Sequence, residues 1–162
     1  MVEKEMEDPS LEVIRKWIKG LSDGTYGQEF TSTTRVIRLV KAHKGFILCD
    51  LIIHSGLLDE NGNWHVSAIA TLVDIIASFT SYSVTSCLQV TLDLSISYYS
   101  TAKLQAVFSS CNIFGEEVEV EAKVIRKKDE LISVIVEVRK KHNGELVALG
   151  KLWMVARKNP RK

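Results

Sequence analysis

Asp74 is the only charged residue between Val66 and Ser83, a stretch that reads VSAIATLVDIIASFTSYS. Burial disfavours an ionised carboxylate unless it finds partners, so an Asp in such a segment is costly. Two readings account for it. One is an Asp on a solvent-facing or capped edge of a helix. The other is a general base or nucleophile in a shielded cleft. Upstream, His65, Val66 and Ser67 stand where that helix would start, and the free backbone N–H groups at a helix start can hold an oxyanion. Asp74 follows Val66 by eight residues, which is about 12 Å along a helix. One helix cannot bring both groups to the same carbonyl. Two antiparallel copies can, with the helix start of one chain against the Asp of the other. Hydrolysis by these residues therefore implies a composite site at a dimer interface.

Other chemistries lack their residues. The histidines are His43, His54, His65 and His142. No pair has metal-ligand spacing with carboxylates or cysteines, so no metal site is expected. No Gly-rich phosphate loop is present. No G-x-S-x-G elbow exists, which excludes a serine α/β-hydrolase.

The elements that would position Asp74 follow from periodicity. Leu11, Val13, Ile14, Trp17, Ile18 and Leu21 form a helical stripe, with Ser10 as its cap and Gly20 or Gly24 as its end. Val36 to Lys44 and Phe46 to His54 read as strands joined near Gly45. Ser55 to Asn63 is turn chemistry. His65 to Ser83 reads as a helix apolar nearly all round, hence buried, with Asn63, His65 or Ser67 at its cap. Cys87 to Tyr99 alternates as a strand. Val107 to Phe114 is β-prone. Alternation resumes through Val118 to Val124, Ile132 to Val138 and Leu146 to Ala156. Residues 127–130 and 142–145 read as hairpin turns, the second with an Asn-Gly pair. This order predicts an α+β fold in which a long, twisted antiparallel sheet wraps one central helix. Ile135 and Trp153 on the far face of the sheet suggest partner contacts.

Composition bounds the class. The chain has 162 residues, 46% hydrophobic and 25% charged, with a formal net charge of +1. That length fits a single domain, 1–162, able to bury roughly two thirds of its unfolded surface. The near-neutral charge argues against a nucleic-acid binder. No uninterrupted apolar run reaches about 18 residues, so no membrane span is expected. Cys49, Cys87 and Cys111 are widely spaced and read as reduced, buried thiols. The acidic start (Glu3, Glu5, Glu7, Asp8, Glu12) has the wrong charge for a leader, and Asn159 to Lys162 make no peroxisomal address. A cytoplasmic location is the expectation, with mitochondrion or peroxisome left open.

Two sequence blocks carry a resemblance. His65-Val66-Ser67 is followed by Leu72-Val73-Asp74. Then Val90-Thr91-Leu92-Asp93 runs through Ile96-Ser97-Tyr98 to Ser100-Thr101-Ala102-Lys103-Leu104. In that order and spacing the blocks resemble the hotdog-fold thioesterase family, the acyl-coenzyme A thioesterase 13 type in particular. The resemblance covers about Gly56 to Trp153. It implies a hotdog fold and hydrolysis of fatty acyl-CoA by a homodimer or homotetramer, with no cofactor beyond the CoA of the substrate. Asp74 would activate water or attack the thioester carbonyl. Thr91 would help orient that water in place of a serine. The Val66 N–H would polarise the carbonyl, with His65 shaping the helix start. Tyr98, Tyr99, Ser100, Thr101, Ala102 and Lys103 would line one side of the CoA arm. Arg126, Lys127 and Lys128 would line the other, the alternative being a solvated hairpin flank. Trp64 would be placed to wall an acyl tunnel. Lys140, Lys141 and His142 read as surface.

The departures cluster at the site. The family's His-Gly-Gly is His65-Val66-Ser67 here. Glycines allow close approach, whereas a β-branched Val66 narrows it. Ser67 reads as a helix cap. The family's Asn six residues before the His is Asp59 here, a like-charged neighbour for the site. The alternative to an active thioesterase is therefore a weak or inactive hotdog protein that binds acyl-CoA or serves a structural role. Residues 105–114 (QAVFSSCNIF) have no counterpart in the family and read as an insertion or a gene-model artefact.

Overall fold

The computed structural model describes residues 8–25, 34, 37–103 and 115–156. The apparent insertion at 105–114, and Cys111 with it, lies outside the described residues.

Helix α1 spans Pro9–Asp23. Its cap is Asp8 rather than Ser10. The Asp8 carboxylate accepts from the Ser10 N–H at 2.9 Å and from the Ser10 hydroxyl at 2.7 Å. Pro9 takes the first helical position, where no N–H is needed. Gly24, at φ 76°, ends the helix.

Strands β1 (Arg38–His43) and β2 (Phe46–Ile52) turn at Gly45, φ 77°. β2 stops at Ile52, short of His54, because the His54 ring turns back to accept from the Gly56 N–H at 3.2 Å. A single 3₁₀ turn, Ser55–Leu57, follows. Then come α2 (Val66–Thr85), β3 (Gln89–Tyr98), β4 (Glu117–Lys128), β5 (Leu131–Lys140) and β6 (Leu146–Ala156). Lys127 and Lys128 pair within the β4–β5 ladder, so that turn narrows to Asp129 and Glu130, with Asp129 at φ 55°. The β5–β6 connection is a five-residue loop, Lys141 to Glu145, with Gly144 at φ 73°.

The strands form one antiparallel sheet in the order β1-β2-β4-β5-β6-β3. Alternation sends Val118, Val120 and Ala122 of β4, Val134, Val136 and Val138 of β5, and Leu152 and Met154 of β6 to the buried face. Leu72, Val73, Ile76 and Ala77 of α2 are buried with them. A Cβ at Gly150 on β6 would collide with the Val73 side chain. That glycine lets the helix settle onto the sheet. By length and composition α2 could cross a membrane, which a search for one unbroken apolar run passes over. Half of it is buried inside the protein, as in a core helix.

β3 is an edge strand and is bulged between Thr91 and Asp93. Val90, Leu92 and Leu94 stand exposed along it, Leu92 at 60%. Cys49 is buried and its thiol is pushed up to about 12 by desolvation and by Asp50. Cys87 is exposed, contrary to the expectation of a buried thiol, because it falls in the turn after α2 rather than in β3.

Candidate active site

Asp74 sits mid-way along α2, half-buried. The Thr91 hydroxyl on β3 donates to its Oδ1 at 2.6 Å. The bond leaves Asp74 Oδ2 for another donor and fixes the carboxylate between helix and edge strand. Asp74 also helps line a cavity of about 280 Å³ whose other walls are Trp17, Leu21, Ile75, Ser78, Phe79 and Leu88. This is a carboxylate at the border of an apolar space. Trp64 is not in that lining. It is 2% exposed and held in the core, so it walls no groove here.

The start of α2 makes a second cluster. His65 is the cap, chosen over Asn63 and Ser67. Its Nδ1 accepts from the Ser67 N–H at 3.1 Å, and the Ser67 Oγ lies 2.7 Å from the same nitrogen. An acceptor Nδ1 puts the ring hydrogen on Nε2. Ser67 thus lies inside the helix and is a partner of the cap, not the cap. The His65 carbonyl accepts from the Ala68 and Ile69 N–H groups. Among the described residues, the Val66 N–H makes no hydrogen bond. The Val66 side chain beside it is 54% exposed. The Tyr98 hydroxyl donates to the Val66 carbonyl at 3.2 Å, tying the end of β3 to the helix start. His65, Ser67, Ala68 and Thr71 border a small polar cleft with Gly56, Leu57 and Leu58.

Asp59 closes its own turn. Its Oδ1 accepts from the Asn61 and Asn63 N–H groups, both at 2.9 Å. The bond from the Asn63 amide leads in holding this carboxyl below its usual range. These bonds shape the turn that delivers Trp64 and His65.

The segments expected beside CoA separate within one chain. Tyr98 and Tyr99 are exposed near Val66. The Ser100 hydroxyl donates to the Leu146 carbonyl at 3.0 Å. Ala102 is fully buried, and its carbonyl accepts from the Trp64 N–H. Its side chain therefore cannot touch a cofactor arm. Thr101 and Lys103 are exposed, while the Lys103 N–H donates to Glu116 at 3.0 Å. Arg126, Lys127 and Lys128 are exposed at the other end of the sheet. The register runs Lys127–Ile132–Met154–Thr91, about 14 Å across three strand spacings. Thr91 and Tyr98 are seven residues apart on β3, about 23 Å. Each chain thus holds Asp74, Thr91 and the basic hairpin at one end. It holds the Val66 N–H, Tyr98 and Lys103 at the other.

The loop read as surface holds a charge network. Lys141 donates to Asp50 at 2.6 Å and to Glu117 at 2.8 Å, and Arg38 donates to Asp50 at 2.8 Å. Asp50 is 4% exposed. Burial raises its carboxyl, but the bonds from Lys141 and Arg38 outweigh burial and hold it below the usual range. His142 lies 3.4 Å from Glu116 and Lys140 lies 2.9 Å from Glu145. Among the described residues no group of three or more His, Cys, Asp or Glu could hold a metal ion.

The helix laid on a six-stranded sheet superposes on solved structures. A zebrafish thioesterase superfamily member 2 matches with a TM-score of 0.78, at 21% identity over 93% of this chain and 100% of that one. The chain has the hotdog fold. A hypothetical thioesterase from Streptococcus pneumoniae, solved with coenzyme A, shares it with a TM-score of 0.66, at 18% identity over 77% of this chain and 88% of that one. In sequence, the hotdog chain is similar to acyl-coenzyme A thioesterase 13 of Homo sapiens and of Pongo abelii. It is 27% identical to each over 143 residues, covering 85% of this chain and 90% of the relative. No protein-family model matches it. The hotdog chain thus resembles thioesterases in both sequence and fold.

Sequence reasoning missed the apolar cavity and the Asp50 network. Trp17 and Phe79 reveal the first only once α1 is placed against α2. The second had a faint signal, an Asp inside the apolar run FILCDLII.

Proposed function

We propose that the protein hydrolyses acyl-CoA thioesters at a site shared between two copies of the chain. The observation that carries this reading is the Thr91 hydroxyl bonded to Asp74 at 2.6 Å on the wall of an apolar cavity. The thioesterase relatives and the coenzyme A in one fold neighbour support it. Within one chain the Val66 N–H and Asp74 are about 12 Å apart along α2. A second copy set antiparallel along the exposed β3 edge supplies the missing half of each site. An unpaired edge with apolar side chains favours such pairing.

The chemistry follows from these groups. Asp74 takes a proton from water as the water oxygen bonds to the thioester carbon. The carbonyl oxygen becomes an oxyanion and accepts from the partner copy's free N–H at Val66. Collapse breaks the C–S bond, and the CoA thiolate takes the proton from Asp74. The products are a carboxylic acid and CoA. The basic hairpin Arg126 to Lys128 and the partner copy's Lys103 face the substrate phosphates.

The test is release of free CoA from a panel of acyl-CoAs. Turnover should fall by about 10³-fold or more in Asp74→Asn, as expected for loss of a general base or nucleophile. Absence of turnover in the wild type with every acyl-CoA would overturn hydrolysis.

A second reading rests on Val66, whose isopropyl group stands exposed beside its amide. It is a protein that binds acyl-CoA without hydrolysing it. Saturable acyl-CoA affinity in the wild type, with turnover only in the Val66→Gly, Ser67→Gly double variant, would establish that reading.

A further inference from the structure

The cavity beside Asp74 has a chemistry of its own. Its walls are apolar apart from Asp74 and Ser78, and it runs between α1 and α2 toward the C-terminal end of α2. Asp74, Ser78 and Phe79 follow one another along this side of the helix. Trp17 of α1 forms part of the opposite wall. Its ring centroid lies 5.3 Å from that of Phe79 and 4.6 Å from that of Tyr82, in tilted packing. Such aromatic clusters are rigid and fill space well. α1 itself is anchored, since Ile14 and Ile18 are buried and Ser10 bonds across to the Ser83 carbonyl at 3.3 Å. The Trp17 side of the groove is therefore held in place.

We infer that this groove takes the acyl chain of the substrate, and that Trp17 sets the longest chain it accepts. The inference rests on the acyl-CoA reading and deepens it. A carboxylate at one end of an apolar trough places the thioester carbon at that end and the alkyl tail inside. The groove, about 280 Å³, is of limited length. A longer chain must displace Trp17 from Phe79 and Tyr82 or leave its end in water.

Two readouts test this. The first is kcat/KM across saturated acyl-CoAs from butanoyl to palmitoyl. The second is the affinity of the matching non-hydrolysable S-alkyl-CoA thioethers, measured by calorimetry. In the wild type both should rise with chain length and then flatten or fall. Trp17→Ala should raise the palmitoyl-to-octanoyl ratio by about tenfold, the scale at which pocket walls discriminate chain length. Trp17→Phe should lie between. Ser78→Leu, which fills the trough without removing any contact of α1, should shift the optimum to shorter chains. A length profile unchanged in both Trp17→Ala and Ser78→Leu overturns the inference, whether read by turnover or by binding. Thioether binding that breaks within the series, and moves in these variants, upholds the inference even if no acyl-CoA is turned over; hydrolysis alone then fails. Absence of both turnover and thioether binding overturns both.

Discussion

At Val66 the backbone and the side chain act in opposite directions. The amide is the free donor at the head of α2, while the isopropyl group stands on the surface beside it. The two can be separated by substitution. Proline at the first helical position lacks the N–H and is favoured there by its fixed φ. The preceding His65 has φ −66° and ψ 131°, a conformation that a following proline accepts. Val66→Pro should therefore leave the melting temperature close to wild type while turnover drops about 10²- to 10³-fold, the scale of one oxyanion donor. A fall in both would mean that the residue matters for folding alone. At this scale Asp74 was legible, because a lone charge in an apolar helix needs a reason. The turn that Asp59 closes was not, because the bonds from Asn61 and Asn63 that mark it show only in the structure. His65 as cap was one of three options, since His is not among the usual cap residues.

Among the elements, α2 and β6 meet at Gly150. A methyl there would enter the space of the Val73 side chain. Gly150→Ala should lift α2 off the sheet and destabilise the fold by about 1–3 kcal/mol, the usual cost of overpacking, read as a lower denaturant midpoint. Asp74 follows Val73 on the helix, so turnover should fall with it. β1, β2 and the β5–β6 loop are tied by Asp50 with Arg38 and Lys141. The Asp50 carboxyl is held below its usual value in the fold. Its contribution is complete above the unfolded value of about 3.9 and is lost as pH falls through the lower folded value. Asp50→Asn should lower stability at neutral pH and flatten the loss below about pH 4, as followed by urea midpoints across pH. The strands and both helices were legible because alternation and the helical stripe are strong over these lengths. The Asp50 tie was not, because it joins residues far apart in sequence.

For the whole molecule, the fold class was legible from element order and from the two motif blocks. The apolar trough was not, because Trp17 and Phe79 face each other only once two helices have packed. The organisation of the half-sites was legible only in part. Helix arithmetic separated Val66 from Asp74, but the division of the expected CoA-lining residues between the two ends of β3 needed the sheet register. With the proposed site shared between two copies, that division has a genetic consequence. A dimer built from one Asp74→Asn chain and one Val66→Pro chain carries both defects in one of its sites and neither in the other. Two inactive proteins, unfolded and refolded together, should regain about a quarter of wild-type turnover, since half of the closed dimers are mixed and each mixed dimer has one sound site. Two damaged copies of the gene would then complement each other in one cell where neither suffices alone.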